Sequence, residues 1–342
     1  MRQNNQLAVD SSILSTTAFY MFCLNGEELS NFKLDELIDT YNNNQSLRRF
    51  APHFHEKLLL LNSKEVTPYL PEVQKNAFDI IALVTLQRGV IRELGVIAQS
   101  LNSQILLLKS SSLNGHNYSW QTPRGASDID ILISIKEKTE FELALSEVAT
   151  RVQEAKARPF TDVHESSWLH NASGQTIDLH YHLINPLLFP IDTARLFEQS
   201  TPHKGYNLAC IRRMTDSHNF LHACLHMFND SNFFSHSAFD LIALLEHKSI
   251  ITSSLKEAKI WNCEQVLMAS LYVLALPTNL SENASWLTKM KLLLTKRLLV
   301  GSTKKYSFHR RLKQLLALHL CLPTQKHAFR IEKEYLRKLF FK

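Results

Sequence analysis

In Thr176-Ile177-Asp178-Leu179-His180-Tyr181-His182-Leu183, every second residue is apolar or aromatic. Successive side chains of a strand point to opposite faces, so the run reads as a strand with one buried and one polar face. Ile177, Leu179, Tyr181 and Leu183 turn towards a core, and Thr176, Asp178, His180 and His182 share the other face. Asp128 to Ser134 repeats the pattern, with Ile129, Ile131 and Ile133 inward. Asp128 and Asp130 therefore project together from the opposite face.

Around these two runs the periodicity is helical. Leu34, Leu37, Ile38 and Tyr41 recur at helical spacing, as do Ala82, Leu86, Val90 and Leu94. One long helix is expected from Ala77 to Leu101, with its stop at Asn102-Ser103. Residues 65–72, with two prolines, read as a connector. Ile105 to Leu108 is a short apolar run between polar breaks, consistent with a buried strand. Residues 110–127 read as a loop with room for a short helix, and residues 137–155 as a helix. Two further strands are expected over 161–170 and 175–183, joined by a hairpin turn at Asn171 to Gly174. Beyond Pro190 the helical period returns and continues to the end. The fold class is α+β: a mixed sheet core over residues 101–190, a helical region over 1–100, and a helical region with a basic tail over 191–342.

Two carboxylates on one strand face repel each other, and neither is cheaply desolvated alone. A divalent cation removes that cost. Mg²⁺ suits the site because it takes hard oxygen ligands and keeps waters and substrate phosphates in its shell; Mn²⁺ fits the same donors. Asp178 reaches the same ions if its strand lies beside that of Asp128 and Asp130. The bland reading is a pair of half-exposed strands with solvated polar faces. Context favours the chemical one. The first strand runs into Lys109-Ser110-Ser111-Ser112, a polar turn whose amides and hydroxyls suit phosphates. Arg124 stands four residues before Asp128, placed to pair with a phosphate oxygen.

The order of these elements resembles the nucleotidyltransferase superfamily that includes DNA polymerase beta and the kanamycin nucleotidyltransferases. More closely, Leu107-Leu108-Lys109-Ser110, then Arg124 to Ile133, then Ile177-Asp178-Leu179-His180 resemble a bacterial family of uncharacterised nucleotidyltransferases. Its pattern is roughly Leu-Lys-Gly, Arg-x3-Asp-hydrophobic-Asp and a later Asp-Leu-His, and the resemblance runs from about residue 80 to 245. It implies a nucleotidyltransferase-type mixed sheet flanked by helices. It also implies two Mg²⁺ ions held by Asp128, Asp130 and Asp178, and a nucleoside triphosphate held by Lys109, Ser110, Ser111 and Arg124. His180, and beside it His182, would support the carboxylates by hydrogen bonds. The reaction implied is transfer of a nucleotidyl group to an acceptor that the sequence does not identify: a peptide, a sugar, a small molecule or RNA. Ser110 departs from the family's glycine, and serine lets a backbone approach phosphate less closely. The alternative is a catalytically degenerate nucleotide-binding or scaffold protein.

His218, His222 and His226 share one helical face, and His236 and Asp240 form another i, i+4 pair. Such histidines can bind zinc, but the adjacent His-Asp pair of a metal-dependent phosphohydrolase does not occur. They read as histidines that cap carbonyls or line the cleft. Five scattered cysteines without a CxxC exclude a thiolate zinc site and fit a reduced, cytoplasmic setting. No apolar run approaches a bilayer span. Net charge is +6, but residues 286–342 carry +13 and the remainder −7. That segment reads as a basic helical tail with weak affinity for an anionic surface.

Overall fold

The computed structural model describes residues 15–24, 33–61, 63–152, 164–186, 189, 191–229, 236–245 and 249–273. The basic tail expected over 286–342 lies outside them. The chain divides into two compact units, Ser46–Asn219 and a second made of Met1–Gln45 with Phe220–Lys342. Together they give the α+β fold expected, with a seven-stranded mixed sheet in the first unit. Among the described residues, no helix is long and apolar enough to cross a membrane.

A 3-10 turn over Gln45–Phe50 carries the chain into the first unit at Ser46. Numbering helices from α1 (residues 15–24) and α2 (Leu34–Asn43) in the second unit, α3 (Ala51–Leu61) and α4 (Leu70–Ser100) follow. Helix α4 starts seven residues earlier than the periodicity suggests. Pro71 is the reason: it sits in the first turn, where its missing N–H costs nothing, so it begins the helix instead of blocking it. The expected stop holds. Asn102 adopts φ +51° and Ser103 N donates to Ala98 O at 2.8 Å.

Strand β1 (Ile105–Leu107) leads into a short helix α5 (Lys109–Leu113), and β2 (Asp128–Leu132) carries the acidic pair. Helix α6 (Lys138–Leu145) is shorter than the expected 137–155, because the chain turns at 146–148 and forms β3 (Ala149–Arg151). Three residues at a sheet edge, one of them buried, leave no alternation to read. Strands β4 (Glu165–His170) and β5 (Thr176–His180) form the expected hairpin, whose Gly174 has φ +68°. Residues 161–163 of the predicted strand lie outside the described residues, and β5 ends before Tyr181. After α7 (Thr193–Gln199) come β6 (Thr201–Pro202) and β7 (Ile211–Arg213), which correct the expectation of helix throughout beyond Pro190. They are two and three residues long, too short to show a period.

The sheet order is β3-β4-β5-β2-β1-β7-β6. Its core face is built from the alternation itself. Ile129, Ile131, Ile133, Ile177, Leu179 and Tyr181 pack with Val90, Ile91, Leu94 and Ala98 of α4 and Phe141 and Leu145 of α6. Each fully buried isoleucine contributes roughly 1.5–3 kcal/mol. A one-residue slip of β2 would bury Asp128 in this layer, so its register is strongly fixed.

The second unit holds α8 (Asp216–Asn229) from Phe220 on, then α9 (His236–Leu244), α10 (Ile250–Ile260) and α11 (Glu264–Val273). Phe19 stacks on Tyr41 at 5.9 Å, and Tyr20 meets Phe239 edge-on at 5.2 Å.

Candidate active site

The polar face of the sheet gathers the acidic residues. Strands β2 and β5 are parallel neighbours, and their register sets Asp130 opposite Asp178 and Asp128 opposite Thr176. Neighbouring strands lie roughly 5 Å apart, so the three carboxylates expected to converge come from adjacent positions. Asp128 is half-buried and Asp130 buried, at 1% exposure.

Asp130 is the most heavily engaged. Lys109 Nζ donates to its Oδ1 at 2.6 Å, and His180 Nε2 stands 3.2 Å from the same oxygen. Its other oxygen, Oδ2, accepts no hydrogen bond from the described residues. Burial would push this carboxyl's pKa up, but the Lys109 charge and the His180 hydrogen bond outweigh it and hold it well below the usual carboxylate range. His180 is raised in turn. Burial opposes its charge, and the hydrogen bond to Asp130 with the charges of Glu165 and Asp130 overcomes that. Its Nδ1 lies 3.4 Å from Glu165 Oε2, an ion-pair contact without hydrogen-bond alignment.

Asp178 is in the opposite condition. Burial first, then the charge of Asp130, pushes its pKa up to about 6, with Asp128 adding to the rise. Ser167 Oγ donates to Asp178 Oδ1 at 2.7 Å and offsets part of this. Asp128 accepts from Ser127 Oγ at 3.3 Å, and Arg49 Nη2 reaches Ser127 Oγ at 3.4 Å.

Lys109 adopts φ +48°, a left-handed conformation uncommon for a residue with a side chain. Ser110 and Ser111 are buried in α5. Arg124 is 1% exposed, with its main chain clamped by Asn114, which accepts from Arg124 N and donates to Arg124 O, each at 2.9 Å. At that burial Arg124 has almost no surface to offer a phosphate. His182 lies past the end of β5, and its ring makes no hydrogen bond to the carboxylates among the described residues. Burial lowers its pKa.

Sequence reasoning missed Ser167, Glu165 and the Arg49–Ser127 link. The strand signal over 161–170 held a clue, because Glu165 and Ser167 share one face. Their partners depend on the antiparallel register that pairs Glu165 with His180 and Ser167 with Asp178.

The chemistry of these donors suits a hard divalent cation: oxygen ligands on one face, with repulsion left on Asp178. Among the described residues, no three His, Cys, Asp or Glu side chains are yet grouped to enclose an ion. Mg²⁺ takes only one or two carboxylates beside waters and phosphates, so such a cage is not a prerequisite. In the second unit, His226 Nδ1 pairs with Ser237 Oγ at 3.2 Å, and the His222 and His226 rings lie edge to face at 6.1 Å. The His236 side chain lies outside the described residues. Among the described residues, Cys23, Cys210, Cys224 and Cys263 form no disulfide.

Compared with known proteins, residues 44–279 match the sequence model of a family described as uncharacterised nucleotidyltransferase. The match covers more than half of the chain, including all seven strands. No curated protein matches the chain.

Proposed function

Because the chain belongs to the family of uncharacterised nucleotidyltransferases, we propose that it moves a nucleoside monophosphate from a nucleoside triphosphate to an acceptor hydroxyl or other nucleophile, with two Mg²⁺ ions held by Asp128, Asp130 and Asp178. The observation that carries this reading is the pairing of Asp130 with Asp178 across adjacent parallel strands, with Asp128 two residues earlier on the same face. The bound cations would offset triphosphate charge and lower the pKa of the acceptor group.

The chain's own residues have distinct tasks. Asp178, whose charge is poorly compensated, is the carboxylate with most to gain from a cation. Ser167 fixes its orientation through the 2.7 Å hydrogen bond. His180 positions Asp130 from one side. Lys109 and the hydroxyls and amides of Ser110 and Ser111 are the residues proposed to meet the triphosphate. Arg124 joins them if the loop over 114–127 opens. The acceptor, having given its proton to solvent, would attack the α-phosphorus, the bond to the bridging oxygen would break, and pyrophosphate would leave. The acceptor's chemical class and the base preference stay open in this proposal, and the setting proposed is cytoplasmic.

The test is incubation of the protein with each α-labelled triphosphate, Mg²⁺ or Mn²⁺ and a cell extract as the source of acceptor. Label should appear in an extract component with the wild type and not with Asp178→Asn. One observation favours a second reading, a degenerate nucleotide binder: Asp130 already has a cationic partner in Lys109. Metal-dependent triphosphate binding with no transfer to any fraction would select it.

A further inference from the structure

We propose that Lys109 is a counter-ion of Asp130 which must leave it when a divalent cation binds. The inference rests on the nucleotidyltransferase reading above and deepens it.

The geometry begins in the backbone. β1 and β2 are antiparallel with Leu107 opposite Ile131, and Leu108 N donates to Asp130 O at 3.0 Å. The main chain next to Lys109 is thus tied to the main chain of Asp130. A residue following β1 in extended conformation would carry its side chain onward. Lys109 instead takes φ +48°, which turns the chain at once into α5. Its ammonium returns to Asp130 Oδ1 at 2.6 Å. Left-handed backbone costs a residue with a Cβ about 1 kcal/mol, so the turn is sustained by what it achieves.

What it achieves is compensation of a buried charge. Asp130 is 1% exposed, and an isolated carboxylate there would be strongly penalised. The Lys109 side chain is 17% exposed, so part of it reaches the surface while Asp130 does not. Both cationic groups at Asp130 meet Oδ1, and Oδ2 accepts nothing from the described residues. A cation entering between Asp130 and Asp178 meets a lysine charge already on one of its ligands. Two positive centres a few ångströms apart in a poorly solvated site repel strongly, so the two occupancies exclude each other. Once released, the flexible four-carbon side chain is free to meet the triphosphate that accompanies the cation.

The test uses the full-length protein and Mn²⁺ without nucleotide. Calorimetric titration compares the wild type, Lys109→Met and Lys109→Arg. Removing the competing charge should tighten Mn²⁺ binding by about tenfold or more, and Lys109→Arg should stay near the wild type. Equal or weaker binding by Lys109→Met overturns the inference while leaving the nucleotidyltransferase reading intact. Absence of Mn²⁺ binding in all three proteins, with and without ATP, overturns both. Lys109→Met leaves Asp130 short of a partner and can fail to fold. A second measurement therefore uses the wild type alone: acylation of Lys109, quantified by mass spectrometry. Labelling should rise severalfold on addition of Mn²⁺. Unchanged labelling at a concentration that saturates the protein overturns the exchange.

Discussion

Ser167 and Asp178 stand opposite each other in the antiparallel pairing of β4 and β5, and the Ser167 hydroxyl donates to Asp178 Oδ1 at 2.7 Å. A half-buried carboxylate beside two others is thereby held in one orientation. Ser167→Ala should leave the fold intact, with a stability change of about 1 kcal/mol or less. It should weaken Mn²⁺ binding severalfold, because the Asp178 carboxylate loses both its orientation and a donor that favours its charged form. Mn²⁺ affinity equal to that of the wild type would show that the serine has no part in the site.

Asp178 itself has a calculable effect on stability. Its pKa is raised from the ordinary 3.8 to about 6, so the folded protein holds this proton more tightly than the unfolded chain. The folded state is relieved of the charge at low pH and loses that relief as pH rises from about 4 to about 6. Without added cation, Asp178→Asn should therefore be more stable than the wild type at pH 7, by about 1–3 kcal/mol, and the difference should vanish near pH 4. Urea melts at the two pH values check this. A variant less stable at pH 7 would mean that Asp178 supports the fold.

The polar face of the sheet was legible in the sequence wherever alternation was unbroken. β2 and β5 fell within their expected ranges but ended two and three residues early, the turn at 171–174 formed, and the parallel register set Asp178 opposite Asp130. The short strands β3, β6 and β7 were not legible, because two or three residues carry no period. Lys109 illustrates a different limit. Sequence position suggested a phosphate ligand, and its ion pair with Asp130 is a tertiary contact that no spacing rule encodes. Ser167 and Glu165 were hidden for a third reason: their roles arise from cross-strand register, not from neighbours in the chain.

Two buried histidines outside the acidic cluster should add to acid sensitivity. His53, edge-on to Tyr118 at 5.4 Å, is lowered to about 3 by burial and then by the charge of Lys57. His203 is lowered to about 4 by burial and then by Arg213 and His116. The unfolded chain takes up both protons near pH 6.5 and the folded state does not. Their contribution is present above that value and lost as pH falls towards 4 and 3, at roughly 1 kcal/mol per pH unit for each. The double variant His53→Gln, His203→Gln should lose stability less steeply than the wild type between pH 6.5 and 4.5. Parallel profiles would contradict the assignment.

The loop between α5 and β2 is pinned through Trp120. A Cβ on Gly115 would fall 2.3 Å from that ring, at φ +78°, and Arg88 lies 4.3 Å over the same ring. Gly115→Ala should cost about 2–4 kcal/mol, since both backbone conformation and space oppose it. A thermal melt reads the loss, and an unshifted midpoint would show that the loop yields freely.

The central claim is that Asp128, Asp130 and Asp178 together hold the cations that bring a triphosphate to this face. Asp128→Asn removes one charge from a repulsive cluster, so the cation-free variant should fold normally and be at least as stable as the wild type. The most direct measurement is equilibrium binding of labelled ATP with Mn²⁺ and with chelator, for the wild type and Asp128→Asn, alongside circular dichroism of both. The account predicts Mn²⁺-dependent binding by the wild type, lost in a variant with an unchanged spectrum. Binding that is indifferent to chelator, or an Asp128→Asn protein that unfolds, would contradict it.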